Sequence, residues 1–353
     1  MDMRNKYLFF IWSNFHLIIC KNIIRQNGYN INDCFFILNR SVVLDDGLFQ
    51  APQWMNKFIR SQNILHKIVF YILHKRSIDA FINNSTFELY YPFSYKYPQH
   101  NLVKVHFIEE GFSSCAEKRA IPSSNADKNV SCTSEVKDLL TNFLLSSFND
   151  RVKSLFVGFL LTEDTPKYKT EFYTLSNQAY KYINNNLISK IVLTNEIKPA
   201  ITYNIEANSF ILILDRFSKG GRPYSLDNYL NCIEQEINWL LNHNVSKSFV
   251  KFHPVDENTN LKTIFYDYTK RFSIVFEEFD GNLEYLALQN VGLHFVGTNS
   301  TILYYAPFLG DKNRSVSFSR YLASIDNDYL KFLDSFGGID NFVNIFSSHV
   351  LCL

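Results

Sequence analysis

Short apolar runs of strand type alternate with stretches of helical period along much of the chain. The opening pattern predicts a strand over 7–12, a helix over 15–26, a stop at Gly28 and a second strand over 34–38, which together make a βαβ start. From 54 to 75 the apolar residues Phe58, Ile59, Leu65, Ile68, Val69 and Ile72 recur at helical spacing, with Lys57, Arg60, Lys67, Lys75 and Arg76 between them. That pattern describes a basic amphipathic helix, which suits a solvated surface and can also lie on an anionic membrane face. Strands are expected over 81–82, 87–90, 102–108, 155–161 and 190–193, and helices over 135–147 and 178–184. The polar stretch 113–135 reads as a surface loop able to order over a ligand.

The second half repeats the rhythm. A strand over 210–214 leads to a Gly220-Gly221 turn and then to a helix over about 226–242, whose apolar face carries Leu230, Ile233, Ile237, Leu240 and Leu241. Strands over 248–252, 273–276 and 291–296 follow, with helices over 265–271, 282–289 and 302–307. Alternation in both halves implies an α/β chain of two Rossmann-like, doubly wound domains facing a central cleft. At 353 residues the chain exceeds what one core holds, which supports domains at 1–200 and 201–353 with the linker near 195–207.

Composition narrows the partners. With 35 basic and 34 acidic residues the net charge is +1, so no global field recruits nucleic acid. The six cysteines form no C-x-x-C pair and read as reduced thiols of a cytoplasmic protein. The apolar run after Arg4 and Lys6 is broken by Asn14 and His16, which argues against a signal peptide, and no run is long enough to span a membrane. The 33 Phe and 21 Tyr residues suffice for large cores and leave an aromatic surface that allows a homodimer.

Candidate chemistry gathers at strand ends. After the strand at 293–296, Gly297 and Asn299 lead into Ser300 and Thr301 at the start of a helix, where free backbone N–H groups and two hydroxyls suit a phosphate. Ser300 also fits a plain N-cap. The strand at 248–252 ends in His253-Pro254, with Lys251 on the same face as His253. The strand at 102–108 ends in Glu109-Glu110-Gly111, where one carboxylate can take a proton and its neighbour can raise its pKa. Asp45-Asp46-Gly47 is a weaker copy, with no comparably strong strand leading into it. Asp326-Asn327-Asp328 matches a metal-binding Asp-x-Asp, but it precedes an expected helix, where acidic residues complement the N-terminal dipole. No P-loop, G-x-G-x-x-G, G-x-S-x-G or H-E-x-x-H occurs.

In that order, Glu109-Glu110-Gly111, His253-Pro254 and Ser300-Thr301 resemble the acidic-acidic-glycine, His-Pro and Ser-Ser/Thr motifs of bacterial sialyltransferases. The likeness is to the lipooligosaccharide group, glycosyltransferase family 52, and to the related polysialyltransferases. The resemblance implies a GT-B fold and inverting transfer of sialic acid from CMP-sialic acid to a galactose-type hydroxyl of a surface glycan, with no metal or other cofactor. It implies Glu110 as general base with Glu109 in support, and His253 on the departing CMP phosphate with Ser300 and Thr301. Lys251, Pro254, Asn299 and Gly297 would complete the donor site, and Glu278 would hold the ribose. This chain has Ser-Thr where many members have two serines, and Glu-Glu where an Asp is common. In the lipooligosaccharide group the base can come from the second domain, which keeps Asp215 and Asp227 as candidates. A CMP-Kdo or UDP-sugar transferase and a non-catalytic glycan-binding protein remain alternatives. A glycolipid acceptor would bring peripheral membrane contact, through 57–76 or 342–353.

Overall fold

In the computed structural model of the chain, the described residues are 5–11, 13–38, 53–55, 80–81, 87–92, 97–99, 104–109, 160–162, 170–177, 179, 188–199, 201–215, 224–243, 245–253, 261–334, 338–340, 342–343 and 350–353. The predicted helix at 54–75 lies outside them except for Trp54 and Met55, which belong to a strand, and the predicted helix at 178–184 except for Ala179; the predicted helix at 135–147, the loop 113–135 and the residues Asp45, Asp46, Gly47, Glu110, Gly111 and Pro254 lie outside them. The chain divides into two compact units, the second beginning at Asn195.

In the first unit, β1 (Lys6–Ile11) is followed by α1 (Asn14–Asn27), β2 (Cys34–Leu38), β3 (Gln53–Met55), β4 (Phe87–Pro92), β5 (Tyr97–Gln99), β6 (Lys104–Ile108), β7 (Leu160–Thr162), β8 (Thr170–Thr174) and β9 (Ile188–Val192). Seven of these strands form one sheet in the order β3-β2-β1-β4-β6-β8-β9. Every pairing in it is parallel. β5 and β7 pair separately and antiparallel, β7 taking Leu160 and Leu161 from the end of the run predicted at 155–161. Local chemistry sets the ends of α1: the Ser13 hydroxyl accepts the His16 N–H, and Gly28 closes the helix at φ 65°, a left-handed conformation glycine adopts without steric cost.

The second unit contains β10 (Phe210–Ile213), α2 (Leu226–Leu241), β11 (Ser248–Lys251), α3 (Leu261–Thr269), β12 (Glu277–Glu278), α4 (Leu283–Leu288), β13 (His294–Gly297), α5 (Thr301–Leu309), β14 (Arg314–Ser317), α6 (Ser319–Ile325), α7 (Asn327–Leu333) and β15 (Leu351–Cys352). Its six strands run in the order β12-β11-β10-β13-β14-β15, all parallel. β10 is Phe-Ile-Leu-Ile and wholly buried, the unbroken apolar run a central parallel strand requires. Both main sheets thus begin centrally, wind outward over two strands and then restart on the other side of the first, the winding of a Rossmann-like unit. The fold class is α/β with two such units.

Two expectations are corrected here. The strand predicted at 273–276 forms at Glu277–Glu278 instead, because Phe276 is taken up by packing on Phe265 of α3. Residues 195–207, read as a linker, are tied to the second unit: Asn195 Nδ2 donates to the Leu309 carbonyl, and Gln289 pairs with both backbone groups of Tyr203. Among the described residues, no helix is long and apolar enough to cross a membrane.

Candidate functional site at the carboxyl edge of the second sheet

Parallel strands place all their carboxyl ends on one edge. The chain reverses its winding between β10 and β13, and a crevice outside those ends is where open α/β sheets bind ligands. Register makes the edge specific. Ile213 of β10 pairs with Lys251 of β11 on one side and Gly297 of β13 on the other, and Gly297 pairs with Ser317 of β14. Two residues past that level stand His253, Asp215, Asn299 and Ser319, one on each neighbouring chain. β11 and β13 lie one on each side of β10, about 10 Å apart.

Gly297 is required by close approach. A Cβ there would sit 2.7 Å from the Ile213 carbonyl oxygen, so any side chain would wedge β13 from β10. Beyond it, Thr298 is fully buried, Asn299 and Ser300 are half-buried and Thr301 is exposed. Ser300 occupies the N-cap of α5 in an extended conformation, φ −67° and ψ 141°, yet its side chain makes no capping hydrogen bond. The plain N-cap reading thus leaves its hydroxyl without a capping bond, and α5 presents that hydroxyl beside its first N–H groups.

His253 is half-buried, one residue past the fully packed Phe252, whose ring meets Phe265 of α3. Lys251 is held more tightly than sequence alone suggests. Its ammonium lies 6.0 Å from the Phe279 ring centroid, and it opposes the upward push that burial gives the carboxyl of Glu284, in the first turn of α4. Glu278 faces outward at 30% side-chain exposure and pairs with Lys262 of α3. Glu284 is half-buried in the first turn of α4, and nothing in Asn-Leu-Glu-Tyr marks it apart from a helix start.

The centre of the row carries a buried acidic pair. Asp215 is 2% exposed; its N–H donates to the Tyr229 hydroxyl at 2.6 Å, and it accepts from the Tyr224 hydroxyl at 3.3 Å. Glu236, on the inward face of α2, is 1% exposed, and among the described residues its Oε1 has no hydrogen-bond partner. Burial, and then the nearby Asp215 charge, push the Glu236 carboxyl well above the usual range. The same surroundings push up the Cys232 thiol, which the Thr298 hydroxyl faces. Asp227, by contrast, is exposed in the first turn of α2.

At the end of β6 in the first unit, Glu109 is fully buried, and its carboxylate accepts the Leu175 N–H at 2.8 Å just past β8. Asp326 is likewise committed: it accepts from the N–H groups of Asp328 and Tyr329 as the N-cap of α7, and from Ser225 and Asn228 at the start of α2. The Asp-x-Asp is a double helix cap.

These features define an α/β protein of two units, with His253, Ser300 and Thr301 at the carboxyl edge of the second sheet. Among solved structures the chain is similar to an S. aureus MnaA–UDP co-structure, at 10% identity over 98% of this chain and 92% of that one, TM-score 0.45. UDP-GlcNAc 2-epimerase from Methanocaldococcus jannaschii is similar at 14% identity over 89% and 83%, TM-score 0.44. Acinetobacter baumannii MurG is similar at 8% identity over 97% and 94%, TM-score 0.30. No protein-family model and no curated protein matches the sequence.

Proposed function

We propose that the carboxyl edge of the second sheet holds the cytidylate of CMP-sialic acid and that the protein transfers sialic acid to a galactose-type hydroxyl of a surface glycan, with inversion. The observation that carries this reading is Ser300, an N-cap whose hydroxyl is not used for capping, on the same sheet edge as His253. In the transfer, the acceptor oxygen forms a bond to the anomeric carbon while the bond from that carbon to the phosphate oxygen breaks. The electron pair leaves with CMP. His253, Ser300, Thr301 and the first N–H groups of α5 would donate to the phosphate as its charge grows, supplying what a cation supplies in other sugar transferases. Lys251 would add positive charge, and Glu278 would meet the ribose hydroxyls, as the motif resemblance implies. Glu110, following the anchored Glu109, is the proposed base for the acceptor proton, as the motif resemblance implies.

The test is a donor screen on purified protein, with released nucleotide as readout and no added divalent ion. CMP release from CMP-sialic acid is expected, with His253→Ala lowering turnover roughly 100-fold or more and Ser300→Ala less. Release of UDP from a UDP-sugar, with none of CMP, would sink the donor assignment.

A further inference from the structure

In the first unit, the ladder between β6 and β8 begins at Phe107 opposite Phe172 and continues with Ile108 opposite Tyr173. One residue lower, where strand alternation turns side chains to the other face, side chains join the two strands instead. His106 is fully buried there. Its Nδ1 lies 3.0 Å from Glu171 Oε2 on β8, and its Nε2 lies 2.7 Å from Glu88 Oε2 on β4, the strand on the other side of β6. Tyr90 of β4 stacks on the imidazole with ring centroids 4.7 Å apart, and Tyr173 of β8 meets it edge-on at 5.7 Å, so three strands fix the ring.

That placement suits one protonation state. A neutral imidazole carries one N–H and one bare nitrogen, and whichever nitrogen is bare sets its lone pair against a carboxylate oxygen, at 2.7 or 3.0 Å. With both nitrogens protonated, each carboxylate faces an N–H. Charge balance agrees. Around the ring, β4 supplies Glu88, and β8 supplies Glu171 with the Tyr173 hydroxyl, which donates to Glu171 at 3.0 Å. β6 itself supplies Lys104, 3.6 Å from Glu171, and the Tyr90 hydroxyl bonds with that of Tyr29, beyond α1. α1 packs on β6 and β8 and carries the buried His16 and Lys21 and the exposed Arg25; burial alone lowers the Lys21 ammonium, with no pull from these carboxylates. Among the described residues, two carboxylates therefore face one ammonium, and an imidazolium closes the balance.

We infer that His106 is an imidazolium strap, a proton-dependent tie that joins β4, β6 and β8 through Glu88 and Glu171. The tie lies just below the point where the backbone ladder of β6 and β8 begins. When the proton leaves, one ring nitrogen changes from donor to bare acceptor against a carboxylate, and the lower ends of the two strands lose their link. No residue of the cytidylate site takes part, so the strap stands whether or not that reading does.

The experiment is an NMR titration of the full chain, isotope-labelled in the backbone and in histidine, upward from pH 7.5. The His106 ring is assigned from the signals missing in His106→Gln or, should that variant not fold, from through-space contact with the Tyr90 and Tyr173 rings. At pH 7.5 an ordinary exposed histidine is about nine-tenths neutral, whereas His106 is expected to show two protonated ring nitrogens. Glu171→Gln keeps the shape and removes a charge, and should cut the protonated share of the ring severalfold. As the pH rises further, the backbone signals of Glu171 and Phe172 should move in step with loss of the ring proton, while those of β2 stay still. A neutral ring in wild-type protein at pH 7.5, an unchanged ring in folded Glu171→Gln, or loss of the ring proton with no change in β8 each overturns the inference.

Discussion

Among individual residues, the buried carboxyls make the firmest claims. Burial and the Asp215 charge hold the Glu236 carboxyl well above its unfolded value, so between the two values the folded state binds more protons than the unfolded chain. Stability contributed this way falls as pH rises above the unfolded carboxyl value, by roughly 1.4 kcal/mol per pH unit while the difference lasts. Glu236→Gln should therefore raise the melting temperature at pH 8 more than at pH 5, which thermal denaturation across that range measures. Glu88 has the opposite sign. Fully buried His106 lies with Nε2 2.7 Å from Glu88 and Nδ1 3.0 Å from Glu171, and the hydrogen bond from His106 is the main influence holding the Glu88 carboxyl low. That stability is present above the unfolded carboxyl value and is lost as pH falls through the lower folded one. Glu88→Gln is expected to cost about 1–3 kcal/mol at pH 7, with the gap to wild type closing in acid. Neither role is legible in the sequence, because a carboxylate's neighbours come from other strands and helices. Glu236 sits in a helical run where the pattern alone marks only its apolar companions.

Elements show where pattern reading works and where it stops. The helix at 15–26 and the strands at 7–12, 34–38, 210–214 and 248–252 form within a residue or two of expectation, since each is a strong apolar run with clear punctuation. β8 and β14 went unread. Thr-Glu-Phe-Tyr-Thr and Arg-Ser-Val-Ser are short and polar, and only pairing with neighbours makes them strands. β14 is the costlier omission, because its Ser317 hydroxyl donates to the Thr298 carbonyl in the turn before Ser300. Two element-scale tests follow from contacts. Gly297→Ala puts a methyl 2.7 Å from the Ile213 oxygen and should destabilise by about 1–3 kcal/mol, read by chemical denaturation. Asp326→Ala removes the cap of α7 and its tie to α2, and should cost about 1–2 kcal/mol. Asp326 is held ionised against burial by hydrogen bonds from Asn228, Tyr329, Ser225 and Asp328, so this cost should shrink as pH falls. If magnesium shifts the melting of wild type but not of Asp326→Ala, the helix-cap assignment is wrong.

For the whole molecule, the sequence by itself determined the class. Alternating strand and helix periods in both halves, at a length beyond one core, led to two doubly wound α/β units, and the chain forms two parallel sheets. It also marked the strand ends where His253, Ser300 and Thr301 stand, because a polar cluster after an apolar run is a local signal. Only tertiary structure decided that β11 and β13 flank β10 and so bring those residues to one edge. It also decided that Glu109 and Asp326 are anchors, that Glu278 pairs with Lys262, and that Ser317 and Ser319 hold the turn. The reason is physical: periodicity and capping act over a few residues along the chain. Strand order and hydrogen-bond partners depend on segments far apart in sequence, which meet only when the sheet assembles.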